Sequence, residues 1–162
     1  MKTLLTTALI VASVLLASSQ TVLHRTDILT AASPAERIDI DICGLDNLWL
    51  MAEGIPSNQH GHAIWGEAVL IDAKGGVTRL SALTPVSGKV TENRNVNGEW
   101  LRIGSRMLAH GLFAHADSAL HYRLDKHYVR FCALVGVESL AQGNGSIRFT
   151  VATSEVRIAS VE

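Results

Sequence analysis

The stretch Arg37-Ile38-Asp39-Ile40-Asp41-Ile42-Cys43 alternates polar and apolar residues with a period of two. Successive side chains of an extended chain point to opposite faces, so the pattern predicts a half-buried β-strand. Gly44-Leu45-Asp46-Asn47 breaks it, and Leu48 to Ala52 predicts a second strand. Beyond a loop from Gly54 to Gly61, the segment Ala63 to Asp72 reads as a third, and Val77 to Leu83 begins a fourth. Trp100 to Ile103, Met107 to Ala116, Ala119 to Leu124, Tyr128 to Val137, Ser146 to Val151 and Val156 to Val161 continue the series. No segment beyond the N-terminal twenty residues carries a sustained helical period. Short strands at ~8–12-residue spacing, divided by Gly and Asn turns, predict an all-β protein of the β-sandwich class.

The chain has 162 residues, with 14 Lys+Arg against 15 Asp+Glu and a formal charge of −1. That length suits one domain, and the charge balance argues against a nucleic-acid partner, which would call for a basic face. Mean hydropathy is +0.23, and much of it sits at the front. Met1-Lys2-Thr3 is a basic start, Leu4 to Ala17 is apolar or small, and Ala17-Ser18-Ser19-Gln20 offers a cleavage site. This reads as a signal peptide over residues 1–19, with an uncleaved N-terminal anchor as the alternative. The apolar run is too short to span a ~30 Å hydrocarbon core comfortably. The expected product is secreted or periplasmic, with no membrane segment after signal cleavage. Residues 20–36 read as a leader or linker, with one short strand as the alternative, and residues 37–162 as the sandwich.

Motifs for catalysis are absent. There is no Gly-x-Ser-x-Gly elbow, and neighbouring His115, Asp117 and Ser118 do not make a triad by composition alone. No phosphate-binding glycine loop is present. His60-Gly61-His62 can place two imidazoles on one face of a strand, but spacing fixes no third ligand. Export permits a disulfide between Cys43 and Cys132; both lie out of phase with the apolar pattern, and two half-buried thiols are the alternative. Trp49 and Trp100 are out of phase with their leucine and isoleucine neighbours, which places both indoles outward. Sugar binding is one use for an exposed indole, because the C–H face of a sugar stacks on an aromatic ring. Asn144-Gly145-Ser146 is a glycosylation sequon and also an Asn-Gly hairpin turn, the second being preferred.

The second half carries an ordered set of motifs: Leu101-Arg102-Ile103-Gly104, then Gly111-Leu112-Phe113-Ala114-His115-Ala116-Asp117-Ser118, then Tyr122-Arg123-Leu124. Tyr128-Val129-Arg130-Phe131, Val135-Gly136-Val137-Glu138 and Gly145-Ser146-Ile147-Arg148-Phe149-Thr150-Val151 follow. This series resembles the NPCBM family of carbohydrate-binding modules, which accompany secreted glycoside hydrolases. The first half resembles the end of the same family pattern: Ile38 to Leu45 with Leu48-Trp49-Leu50, then His62-Ala63-Ile64-Trp65-Gly66-Glu67-Ala68. The order therefore looks circularly permuted over residues ~37–151; halves of adjacent modules, or two chains exchanging strands, are the alternatives. Gly61 and Ile64 stand where the family pattern has acidic residues, and Glu138 stands where it usually has Asp.

The resemblance implies a jelly roll like that of galactose-binding domains, without catalysis of its own. It implies glycan partners, including galactose-containing ones, and a separate glycoside hydrolase or exported protein as a further partner. The implied carbohydrate-binding residues are His62, Trp65, His115 and Asp117, each with the alternative of tying the sheets together. A structural calcium is implied by the fold, with oxygen ligands that the sequence does not locate. The competing expectation is a structural or protein-interaction sandwich of an exported assembly that has lost sugar binding.

Overall fold

The computed structural model describes residues 21–141 and 144–156. The expected signal peptide lies outside them, as does the last expected strand beyond Val156. The strands are β1 (Val22–Arg25), β2 (Leu29–Thr30), β3 (Glu36–Asp41), β4 (Asn47–Gly54), β5 (His62–Asp72) and β6 (Val77–Arg79). They continue with β7 (Thr91–Glu92), β8 (Leu101–Ile103), β9 (Arg106–Leu108), β10 (Gly111–His115), β11 (Ser118–Arg123), β12 (Tyr128–Val137) and β13 (Ser146–Ala152). Among the described residues there is no α-helix, only two 3-10 turns at Leu80–Ala82 and Ser139–Ala141.

Two antiparallel sheets face each other. One runs β1-β13-β4-β11, with β2 also on β13; the other runs β3-β12-β5-β10-β7, with β6 also on β5. From β3 to β5, and again from β10 to β13, the chain changes sheet at each step. This alternation builds a β-sandwich jelly roll and leaves every inner face apolar. Leu48, Leu50, Phe149 and Val151 from one sheet meet Trp65, Leu70, Phe131 and Val135 from the other, all at zero exposure. The two halves of the sequence are interleaved within one chain: β12 lies between β3 and β5, and β4 lies between β13 and β11.

The phase of β5 changes midway. Ala63 and Trp65 face the core, and so do Ala68 and Leu70. Glu67 lies between them with φ 47°, and the β5–β12 register shifts between Cys132 and Leu134. One extra residue in a strand produces such a step, as in a β-bulge. The outer face of β5 is covered as well. A small sheet of β8 and β9 sets Leu101, Ile103 and Leu108 on Ile64 and Phe113. The close approach needs missing side chains beneath it. A Cβ on Gly66 would stand 2.5 Å from Leu108 Cδ1, and one on Gly136 would stand 2.6 Å from Ile103 Cγ2.

Three expectations are corrected. Residues 20–36 are not a linker over the described part: β1 and β2 both pair with β13, and the Thr26 hydroxyl accepts the Phe149 N–H at 3.1 Å. These short strands form because β13 presents a partner row of backbone groups. Cys43 and Cys132 are both free. Cys132 pairs in register with Asp39, so Cys43 sits four residues further along the β3 line. At ~3.4 Å per residue that offset far exceeds the ~7 Å Cα separation a disulfide spans. Asn144-Gly145 does not close a hairpin, because β12 and β13 belong to different sheets.

Trp65 Nε1 is buried with no partner among the described residues, and its ring meets Phe149 edge-on at 5.1 Å. Trp65→Ala is expected to cost about 3–5 kcal/mol, the usual range for emptying a large aromatic site. Urea unfolding followed by circular dichroism checks this; a midpoint unchanged from the parent chain would contradict the placement of Trp65 as the inter-sheet anchor.

Candidate functional site

The crossing from β10 to β11 brings the predicted residues to one end of the sandwich. His115 closes β10 and is the register partner of His62, the first residue of β5. Both project from the outer face of their sheet, with ring centroids 5.7 Å apart, and His62 also meets Phe113 edge-on at 5.6 Å. Asp117 lies on the crossing itself, where the Ala116–Asp117 peptide is cis. Its Oδ1 accepts the backbone N–H of Gly54 at 2.9 Å, tying the crossing to the end of β4. The loop before β5 folds onto the same place: Ala116 N–H donates to Gly61 O, and Gly61 N–H to Asn58 O.

Three of the four predicted residues therefore gather here, and Trp65 does not. Trp65 has zero exposure and points into the core, so in this fold it offers no face to a sugar. The physical reason is the strand period. His62 and Trp65 are three residues apart on β5, which puts them on opposite faces.

The chemistry of the end is polar. An open cleft of about 470 Å³ is lined by Asn58, Gly88, Lys89, His115, Ala116, Asp117, Ser118 and Ala119. His115 is exposed, and its Nδ1–H donates to Ala116 O. That bond fixes the proton on Nδ1 and leaves Nε2 as an acceptor while the ring is neutral. His62 is more enclosed. Burial lowers its pKa, and the neighbouring His115 and His60 rings lower it further. Lys89 and Asn58 were not foreseen. They arrive from loops whose composition says nothing about where they fold.

A second feature lies along the same outer face. Arg94 and Trp100 pair across a tight turn, with the guanidinium carbon 3.2 Å from the indole centroid. Trp100 is 46% exposed, as its phase predicts. Trp49, the other indole expected outward, is half-buried and stacks flat on His121 at 4.4 Å. Glu138, at the end of β12, is 1% exposed, and burial raises its pKa against the pull of the Leu140 amide and an Asn95 side-chain hydrogen bond.

No three His, Cys, Asp or Glu side chains come together as a metal site among the described residues. His60-Gly61-His62 finds no third His, Cys, Asp or Glu among the described residues.

The model of the NPCBM/NEW2 domain matches residues 77–162, a little over half of the chain. The chain belongs to the NPCBM/NEW2 family. Domains of this family are carbohydrate-binding and typically non-catalytic. No significant match was found among curated proteins or among solved structures. The NPCBM match starts at β6, so β3, β4 and the whole of β5 lie before it, yet each is hydrogen-bonded to a strand inside it.

The lowered His62 pKa carries a sign. The folded chain favours the neutral ring, so the contribution is complete above the unfolded value of 6.5 and is lost as pH falls through the lower folded value. His121 is lowered too, by burial and then by Arg123, and acts in the same sense. Melting temperature is expected to fall between pH 7.5 and pH 5.5, and His62→Gln is expected to flatten that fall. An identical slope in parent and variant would show that His62 is not enclosed as described.

Proposed function

We propose that this chain is an exported, non-catalytic carbohydrate-binding module that takes glycan termini, galactose-containing ones among them, in the cleft at the β10–β11 crossing. Membership of the NPCBM/NEW2 family is the observation that carries the reading. The cleft supports it. Its lining supplies Lys89 and the Asn58 amide as donors, the Asp117 carboxylate and His115 Nε2 as acceptors, and the Ser118 hydroxyl as either. Sugar hydroxyls donate and accept at once, so mixed partners of this kind suit them better than a lining of one sign. His62 stands behind His115 as a positioning residue, since its ring packs edge-on against both His115 and Phe113.

Export rests on the N-terminal sequence, basic at Lys2 and then apolar to Ala17. Circular permutation of the family unit belongs to the same reading: segments that resemble the family's end come first in sequence, yet their strands interleave with those of the matched part. A separate glycoside hydrolase or another exported protein is the partner that would give such a module its target.

A glycan array probed with the chain lacking residues 1–19 tests this. Binding to a defined set of glycans is expected, and His115→Ala should weaken it by about tenfold, equivalent to ~1.4 kcal/mol, with melting temperature unchanged. No binding to any printed glycan would overturn the reading and favour a structural sandwich of an exported assembly.

A further inference from the structure

We propose that the Arg94–Trp100 turn and the end of β12 form a second glycan subsite, in which one neutral sugar ring stacks on the Trp100 indole. The inference rests on the reading that this chain binds glycans, and it adds a place distinct from the β10–β11 cleft. Its starting point is an indole that packing does not explain. Trp65 fills the core and Trp49 is stacked on His121, whereas Trp100 leaves nearly half its surface in water. Val96, four residues before it, is 66% exposed, and Leu140, which lines the same cavity as Trp100, is 38% exposed. Apolar surface that gathers at one place and is rimmed by polar groups is characteristic of ligand-binding grooves and contact sites.

The indole is held before any ligand arrives. Arg94 covers one of its faces, and the Arg94 Nη1–H donates to Asn93 O. Asn95, 2% exposed, organises the turn: its N–H donates to Glu99 O, and its Oδ1 accepts the N–H groups of Asn97 and Glu99. On the other side, Trp100 runs directly into Leu101 and Ile103, which are buried against β5 and β10. A rigid aromatic loses little freedom on binding, which leaves more of the contact energy for affinity.

Beside the indole lies a cavity of about 260 Å³ lined by Glu99, Trp100, Arg102, Glu138, Ser139 and Leu140. Glu138 is fixed there from three directions. Its Oε2 accepts the Leu140 N–H at 3.0 Å, its own N–H donates to His62 O at 2.8 Å, and it bridges to Ile103. A pyranose has an apolar C–H face and a rim of hydroxyls. The indole suits the face, the Glu99 carboxylate accepts from the rim, Arg102 donates to it, and the Ser139 hydroxyl does either, while the buried Glu138 fixes the floor. The charges of Arg94 and Arg102 offset those of Glu99 and Glu138, which favours a neutral sugar over a uronic or sulfated one. The volume falls just below the usual range for small-molecule pockets, so it suits a single ring.

The experiment is an array of neutral and acidic glycans probed with the chain and with Trp100→Ala and Trp100→Phe. Trp100→Ala should lower binding to the recognised neutral glycans by about tenfold, and Trp100→Phe should keep most of it. Acrylamide quenching of tryptophan fluorescence, measured in the unsubstituted chain with and without the strongest array glycan, reads the same contact independently of any change at Trp100. Protection of the exposed Trp100 indole is expected, and Trp49→Phe, which removes the half-buried indole on the other sheet, should leave that protection in place. Unchanged array binding by Trp100→Ala, or unchanged quenching, would overturn this subsite and leave the β10–β11 cleft standing. Failure of the unsubstituted chain to bind any glycan would overturn both.

Discussion

The edge-on contact of Trp65 with Phe149 is the constraint on which the other features depend. It joins β5 in one sheet to β13 in the other, at 5.1 Å between centroids and with both rings fully buried. Such a pair adds ~0.5–1.5 kcal/mol beyond the area it hides. Its larger effect is on phase. With Trp65 inward, His62 and Ile64 must face outward, and the bulge at Glu67 then returns Ala68 and Leu70 to the core. Ile64, turned out, needs cover, and β8 and β9 supply it. Trp100 leads directly into that cover, and the outward His62 meets His115. Both surfaces assigned to sugar are therefore consequences of how one buried tryptophan sets one strand.

The two surfaces differ in kind. The cleft at the β10–β11 crossing is polar, and its shape depends on backbone ties among Gly54, Gly61, Ala116 and Asp117. The Trp100 turn is an aromatic platform backed by a buried carboxyl. They are linked through β5 and β12, since the Glu138 N–H donates to the carbonyl of His62. Binding modules often divide work in this way: polar groups orient a ligand and an apolar surface supplies contact area.

Much of this was legible in the sequence because one buried face forces alternation. Ile38 and Ile40 with Asp39 and Asp41, and Phe131, Ala133 and Val135 on one side of β12, announce their strands. The outward phase of Trp100 follows from the same rule. The rule fails on β5, where Ile64 and Trp65 are both buried because both faces are covered, and Trp65 looked available when it is not. Strands β1, β2 and β7 have two to four residues each, too few for a period; their partners define them. Phase told that Cys43 and Cys132 point outward, but only register shows that they are offset along the sheet. Lys89 and Asn58 reach the cleft through loop folding, which no local pattern encodes.

Amide chemical-shift mapping on the ¹⁵N-labelled chain, titrated with the strongest glycan from the array, locates recognition most directly. Shifts are expected at residues 58, 89 and 115–118 and along the turn from Arg94 to Trp100, with the Trp65 indole N–H unmoved. Shifts centred instead on Trp49 and His121, on the outer face of the other sheet, would contradict the placement of sugar binding on the surfaces that Trp65 sets.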